Sequence, residues 1–264
     1  MPGFALRRAL AVLLALVAAL TARADDSTRE LAPATPYTVL QMNLCLSGRA
    51  ACFPRTRYPA VLDEAARRVR GTGADAVTLA EICSGDVRDL ARTLGYAVRF
   101  AIVTDGAGRP MPCLDPGGRG VFGNAVLTRS PVTSSTSTRY DAQDGIEDRQ
   151  VLCVTTRDRV TVCGTHLTVR SSPGELHAND GQCRQLARVL AREERQGPVV
   201  AAGDMNRHQP CAPPALWVRD DGGASQSAGL QHAYGDGRFA EPVVRVLPMR
   251  LTDHDALAVT ARLR

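Results

Sequence analysis

Several apolar runs in this chain stop on a polar residue, and this pattern restricts the fold more than any other feature. Residues 198–202 (Pro-Val-Val-Ala-Ala) have the length and composition of a buried strand, and Gly203-Asp204-Met205-Asn206 follows directly. Other apolar runs end in the same way at Asn43, Glu81, His166 and the pair Asp253-His254. In layered α/β proteins the strand ends are where ligands bind. A carboxylate there must be hydrated, paired or metal-bound, because burying a lone charge is too costly. The polar endings therefore predict one site assembled from distant parts of the chain.

The surrounding pattern supports a layered fold. Residues 37–44 alternate as a strand, and 58–70 have helical spacing, with Val61, Leu62, Ala65, Ala66 and Val69 on one side and Gly71 and Gly73 at the end. A strand over 76–80, a helix over 86–94 and a strand over 96–103 complete a β-α-β-α-β opening. Residues 121–128, 132–140, 150–155 and 160–167 read as strands joined by short connections, which predicts antiparallel pairing. Helical spacing returns over 175–194 and stops at Gly197-Pro198. The stretch 207–243 is rich in Gly, Pro, Ser and Asp and reads as loops, and 257–263 closes as a strand. No internal repeat is visible. Mixed sheets covered by helices, in one domain over 37–264, are expected.

The N-terminus reads as a secretory signal over 1–24, followed by a short extension over 25–36. Arg7 and Arg8 precede the apolar run 9–20, and Ala22-Arg23-Ala24 has a small-x-small cleavage pattern. The run is too short to span a bilayer, which takes about 20 residues, so cleavage by the general secretory route is preferred over a retained anchor. Loss of Arg7, Arg8 and Arg23 lowers the formal net charge from +5 to +2. Bulk charge is then too weak to argue for a nucleic-acid partner. Arginine suits bidentate phosphate contacts, but the complete absence of Lys is more simply a codon bias.

An exported chain with eight cysteines points to disulfides. Zinc is the weaker alternative, since no CxxC pair occurs. Cys153 and Cys163 are equidistant from Asp158 in two β-rich runs, so a hairpin would set their thiols opposite each other. Cys45–Cys52 would close a short loop, and Cys83–Cys113 with Cys183–Cys211 complete the set.

The strand-end residues suit phosphoester chemistry. Glu81 and Asp253 are hard oxygen donors and Asn43 offers an amide oxygen, a set that matches Mg²⁺ or Mn²⁺. His166 and His254 can move protons near neutrality. Asp204 and Asn206 can orient water or bind an anion. Seven short words follow in order: Gln41-Met-Asn43, Leu79-Ala-Glu81, Gly123-Asn-Ala-Val-Leu127, Glu147-Asp-Arg149, Gly164-Thr-His166-Leu, Gly203-Asp-Met-Asn206 and Thr252-Asp-His254-Asp. This series resembles the endonuclease/exonuclease/phosphatase superfamily, the DNase I-like proteins, over residues 37–263. The resemblance implies a four-layer α/β/β/α sandwich of two mixed β-sheets flanked by helices. By position it implies Glu81 as principal metal ligand with Asn43 and Asp253. It makes His254 the general base or orienting group and Asp204 the group that positions the attacking water. Asn206, His166 and Arg149 would hold the phosphate, with Asn124 behind them.

Plainer roles exist for each residue. Asp204 could cap a turn, Asn206 could make an Asx-turn, His166 could be a satisfied core histidine and Arg149 half of an ion pair. Independent plain roles do not account for the ordered set. His177, His208 and His232 match no family word and are expected to be structural. One departure is visible: the superfamily's Asp that buttresses the catalytic His is missing from 242–247 (Pro-Val-Val-Arg-Val-Leu), leaving Glu241, Asp236 or Asp255 as substitutes. The reading is a secreted, monomeric, Mg²⁺-dependent phosphodiesterase acting as an endonuclease on DNA. A lipid or inositol-phosphate phosphoesterase on the same site is the alternative, and a non-catalytic binding module the second. Arg119, Arg170 and Arg207 are expected to flank the site. Trp217 is expected to anchor a packed loop, ahead of a base-stacking or lipid-probing role.

Overall fold

Two cores and a seam between them organise the molecule. The structure, a computed structural model, describes residues 34–50, 52–222 and 226–264. The signal expected over 1–24 lies outside the described residues, as does most of the 25–36 extension. In chain order the strands are β1 (Thr35–Asn43), β2 (Ala76–Cys83), β3 (Ala97–Ile102), β4 (Phe122–Thr128), β5 (Val132–Arg139) and β6 (Gln150–Thr156). They continue with β7 (Thr161–His166), β8 (Val199–Asp204), β9 (Trp217–Asp220), β10 (Gln231–Gly235), β11 (Phe239–Leu247) and β12 (Ala256–Leu263). The helices are α1 (Phe53–Thr56), α2 (Ala60–Thr72), α3 (Ser84–Leu94) and α4 (Pro173–Gln196).

Among the described residues these strands form two six-stranded sheets, ordered β11-β12-β1-β2-β4-β3 and β5-β6-β7-β8-β10-β9. Both are mixed: β1 runs parallel to β2 and β7 parallel to β8, while the other pairs are antiparallel. Val39, Val126, Val162, Val200 and Val259 belong to the apolar layer between the sheets. Val61, Val69, Val87 and Leu90 of α2 and α3 pack on the first sheet's outer face. Leu186, Val189 and Leu190 of α4 cover the second sheet's outer face. Strands buried on both faces carry continuous apolar runs rather than alternation, as β8 does. The result is the four-layer α/β/β/α sandwich. No helix among the described residues is long and apolar enough to cross a membrane.

All four expected disulfides form: Cys45–Cys52, Cys83–Cys113, Cys153–Cys163 and Cys183–Cys211. Cys153 faces Cys163 directly in the β6–β7 register, with Cα atoms 4.0 Å apart.

Three expectations need correction. The stretch 207–243 is not all loop, because it contains β9, β10 and half of β11. Every residue of β10 is buried although it begins Gln231-His232, since β8 and β9 pair with its backbone on both sides. Strand β4 does not pair with β5: the short 129–131 connection carries the chain from one sheet to the other. Glu81 does not end its strand, for β2 continues to Cys83.

Candidate active site

Parallel pairing brings the polar strand ends together. Asn43 ends β1 beside Ala80 in the β2 register, and His166 ends β7 beside Asp204, the last residue of β8. Gly203, just before Asp204, lets these strands close: a Cβ there would run into the Thr165 carbonyl oxygen.

Glu81 reaches the site through a local irregularity. The β2–β4 register shifts between Leu79 and Ile82, and Glu81 itself has φ 56°. A bulge re-aims a side chain in this way, and positive φ at a non-glycine residue persists only when its surroundings impose it. Asn124 is part of that restraint, because its Oδ1 accepts the Glu81 N–H at 3.2 Å.

Asn43 ties the two sheets at this end. Its amide donates to Glu81 Oε1 at 3.0 Å and to Asp204 Oδ2 at 3.1 Å, and its oxygen accepts from Cys45 N–H at 3.1 Å. As placed, it braces two carboxylates more than it presents an oxygen to a metal. Asp204 is 1% exposed, and its other oxygen accepts the Asn206 N–H at 3.0 Å, an Asx-turn. His254 Nε2 lies 3.5 Å from Asp204 Oδ2. His166 Nε2 lies 3.9 Å from both Glu81 Oε1 and Asp204 Oδ2.

Arg149 and Asn206 enclose His166 from its two ring nitrogens. Arg149 Nη1 stands 2.7 Å from His166 Nδ1. A guanidinium can only donate, and on the other side of the ring the Asn206 Nδ2, which also donates to the Leu167 carbonyl, lies 3.0 Å from Nε2, so donors face both ring nitrogens. Burial, followed by the Arg149 and His254 charges, holds the His166 pKa well below 6.5. His166 is therefore neutral at neutral pH. Glu81 moves the other way. Burial raises its pKa to about 7, with Glu147 and Asp204 adding to the rise and the Asn43 hydrogen bond and Arg149 opposing it.

Asn43, Glu81, Arg149, His166, Asp204, Asn206, Asp253 and His254 all line a single cleft of roughly 330 Å³. Sequence reasoning missed what holds them. Glu147, inside the Glu-Asp-Arg word, pairs with Arg149 at 2.9 Å. Thr252 Oγ1 donates to the Asn43 carbonyl at 2.9 Å. The buried Glu64 carboxylate accepts the Arg250 and Leu251 N–H groups and so braces the loop leading to Asp253-His254. The Glu147 and Thr252 words carried a signal of this, and nothing in the sequence pointed to Glu64.

Other expectations fail for physical reasons. Arg119 is not free to flank the site: it is 6% exposed, pairs with Asp86 at 2.7 Å and stacks over Tyr58. Arg170 and Arg207 both spend an Nη1 on Asp180 Oδ1 at 2.8 Å. None of the candidate buttresses reaches His254. Asp236 accepts from Val199 and Arg238 N–H, Glu241 pairs with Arg262, and Asp255 accepts from Met249 and Gln226 N–H. His254 Nδ1 is buried with no hydrogen-bond partner among the described residues. Trp217 is the packed anchor expected, though in β9, and its Nε1–H donates to the Phe239 carbonyl. His232 is a satisfied core histidine, bonded to Tyr234 and Gly229.

The donor chemistry fits a hard divalent cation. Glu81 is a desolvated carboxylate near two others, which leaves the site short of positive charge, and Asp253 adds a more open carboxylate to the same cleft. Among the described residues, the one tight cluster of potential ligands joins Asp253 to the Cys45 and Cys52 sulfurs. Bonded to each other, those sulfurs are not thiolate ligands.

A four-layer sandwich whose strand ends gather carboxylates, imidazoles and a buried arginine in one cleft is the framework of a phosphoester hydrolase. The chain belongs to the endonuclease/exonuclease/phosphatase family, whose model matches residues 48–254. Members of that family hydrolyse phosphoester bonds and generally depend on a divalent metal. The fold is shared with an endonuclease/exonuclease/phosphatase from Beutenbergia cavernae at TM-score 0.65 and 20% identity, over 86% of this chain and 72% of that one. It is shared with the human Nocturnin catalytic domain, determined with a bound sulfate anion, at TM-score 0.66 and 16% identity, over 88% and 94%. D. rerio TDP2, complexed with a single-strand DNA product, matches at TM-score 0.60 and 12% identity, over 86% and 99%. No curated protein matches the chain.

Proposed function

We propose that the protein is a divalent-metal-dependent phosphodiesterase acting on nucleic acid. The observation that carries this reading is the Asn43 amide bridge between Glu81 and Asp204, with His166 3.9 Å from both carboxylates and His254 3.5 Å from Asp204. Glu81 would be the principal metal ligand with Asp253 in support, and Asn43 braces the Glu81 and Asp204 carboxylates. Mg²⁺ or Mn²⁺ held there would supply Lewis-acid charge to the phosphoryl group.

The chain's own groups do the rest. Neutral His166 and Asn206 hold the phosphoryl group from one wall of the cleft, with Arg149 packed against His166 Nδ1. Asp204 positions the attacking water and takes its proton. His254 orients the same water from the other side of Asp204. With its Nδ1 unpartnered, the His254 proton is best placed on Nε2 toward Asp204, which puts more of the water activation on Asp204. The TDP2 complex supports nucleic acid as the substrate class, and four disulfides suit work in an oxidising compartment.

The test is hydrolysis of plasmid DNA, single-stranded oligonucleotides, a phospholipid panel and inositol phosphates, with Mg²⁺ and with EDTA. Mg²⁺-dependent DNA cleavage that Glu81→Ala and His254→Ala both impair is expected. Cleavage untouched by both substitutions overturns the site assignment, and turnover confined to lipids or inositol phosphates overturns the substrate.

A further inference from the structure

The mouth of the cleft is lopsided in charge. On the α4 side, Asp144 and Glu175 line it, with Asp144 packed against Gly174 and Glu175 beside Gly145. On the other side, Ile146 forms a ridge that is 67% exposed and belongs both to the cleft and to a second pocket of roughly 460 Å³. That second pocket has an apolar floor of Pro110, Met111 and Pro112, and its walls carry Arg49 and Arg109. Ala50, next to Arg49 in the chain, lines the cleft itself. The two cavities are neighbours across one side chain.

Their arginines differ. Arg109 is committed to Asp105 at 2.8 Å. Arg49 is exposed, has no carboxylate partner among the described residues, and makes one long contact from Nη2 to the Pro112 carbonyl at 3.4 Å. An exposed guanidinium over an apolar floor matches a nucleotide, whose phosphate takes the charge and whose base takes the flat apolar surface. The pocket is also pre-formed. Cys45–Cys52 and Cys83–Cys113 tie its two loops, and the Leu114 N–H donates to the Ser47 carbonyl to join them.

We infer that this pocket is a second subsite that holds a neighbouring nucleotide of a single-stranded chain, with Arg49 on its phosphate and Ile146 against its base. The inference rests on the phosphodiesterase reading above and adds the direction of the strand. The Asp144–Glu175 lip repels a polyanion, so the chain leaves the cleft over Ile146 toward Arg49.

The test compares wild type, Arg49→Glu and Ile146→Ser in two assays. One measures turnover of a single-stranded deoxyoligonucleotide and of bis-p-nitrophenyl phosphate in Mg²⁺. The other measures binding of a fluorescein-labelled oligothymidylate in EDTA, by anisotropy across a salt series. Both side chains are exposed, and unchanged circular dichroism checks the fold. Arg49→Glu is expected to raise the oligonucleotide KM and Kd roughly five- to tenfold while bis-p-nitrophenyl phosphate turnover stays constant. Loss of one phosphate contact should also flatten the log–log salt slope by about 0.7. Ile146→Ser should weaken oligonucleotide binding without changing that slope. Equal oligonucleotide binding by wild type and Arg49→Glu overturns the subsite, even if the small diester is still hydrolysed. The subsite is equally overturned if both substrates lose turnover in parallel. If no diester is hydrolysed but the binding difference persists, the subsite stands and the phosphodiesterase reading falls.

Discussion

Glu81→Gln should stabilise the metal-free protein and abolish its stabilisation by metal. The fold holds the Glu81 pKa at about 7 against an ordinary 4.5. At about 1.4 kcal/mol per pH unit, that displacement corresponds to about 3 kcal/mol. The side chain is 15% exposed, and solvent relaxation brings the working figure to about 2 kcal/mol. The sign follows from proton counting. The folded state binds the Glu81 proton more tightly than the unfolded chain, so stability declines as pH rises from 4.5 through about 7. The penalty is absent below this window and complete above it, and Gln removes it while keeping an oxygen to accept from Asn43. In EDTA near pH 8 the variant should therefore melt about 4–8 °C above wild type, with the gap closing near pH 4.5. Adding Mg²⁺ near pH 8 should reverse the order, because only the carboxylate gains binding energy in the folded state. Thermal unfolding followed by circular dichroism reads all three conditions for both proteins. A melting-temperature gap independent of pH, or equal protection of both proteins by Mg²⁺, would refute the reasoning.

Other outcomes follow from the same geometry. Asp204→Asn should reduce kcat by about 10³-fold or more, and His254→Ala by only about 10–10²-fold, since His254 Nδ1 lacks an orienting partner; the reverse ranking in steady-state kinetics would return the base role to His254. His166 is kept neutral with a pKa below 6.5, so the unfolded chain takes up its proton first and stability falls as pH drops below 6.5. Urea titrations of His166→Gln should show a shallower loss in that range than wild type. Arg119→Ala should destabilise by about 3–5 kcal/mol by leaving Asp86 buried without its charge partner, while KM for an oligonucleotide stays unchanged.

The sequence carried the strand ends, the helices and the site composition because these are local signals. An apolar run ending in Asn43 or Asp204 is visible without knowing its neighbour, and so is the 3.6-residue spacing that makes α2, α3 and α4. The Cys153–Cys163 bridge was legible for the same reason, as two strands around one turn fix their own register. By contrast, Gln231-His232-Ala233-Tyr234-Gly235 looks like polar loop until β8 and β9 pair with it from both sides. The glycines and prolines that mark loops elsewhere in 207–243 outweighed its five residues.

Sequence by itself therefore determined the layered fold, the Cys153–Cys163 bridge and which polar side chains were candidates for the chemistry. Tertiary structure decided which of them are available. Arg119 is consumed by Asp86, 33 positions away, and Arg170 and Arg207 by a shared Asp180, so arginines that read as a phosphate grip are structural. Arg149, which could have been half of a surface pair, is half of a buried one: it pairs with Glu147 and packs against His166 Nδ1. The Asn43 contact to Asp204 spans 161 positions and joins the two sheets. The physical reason is common to all of these. Hydrogen bonds and ion pairs are satisfied by proximity in space, and in a two-sheet sandwich the residues that meet at one end come from opposite ends of the chain.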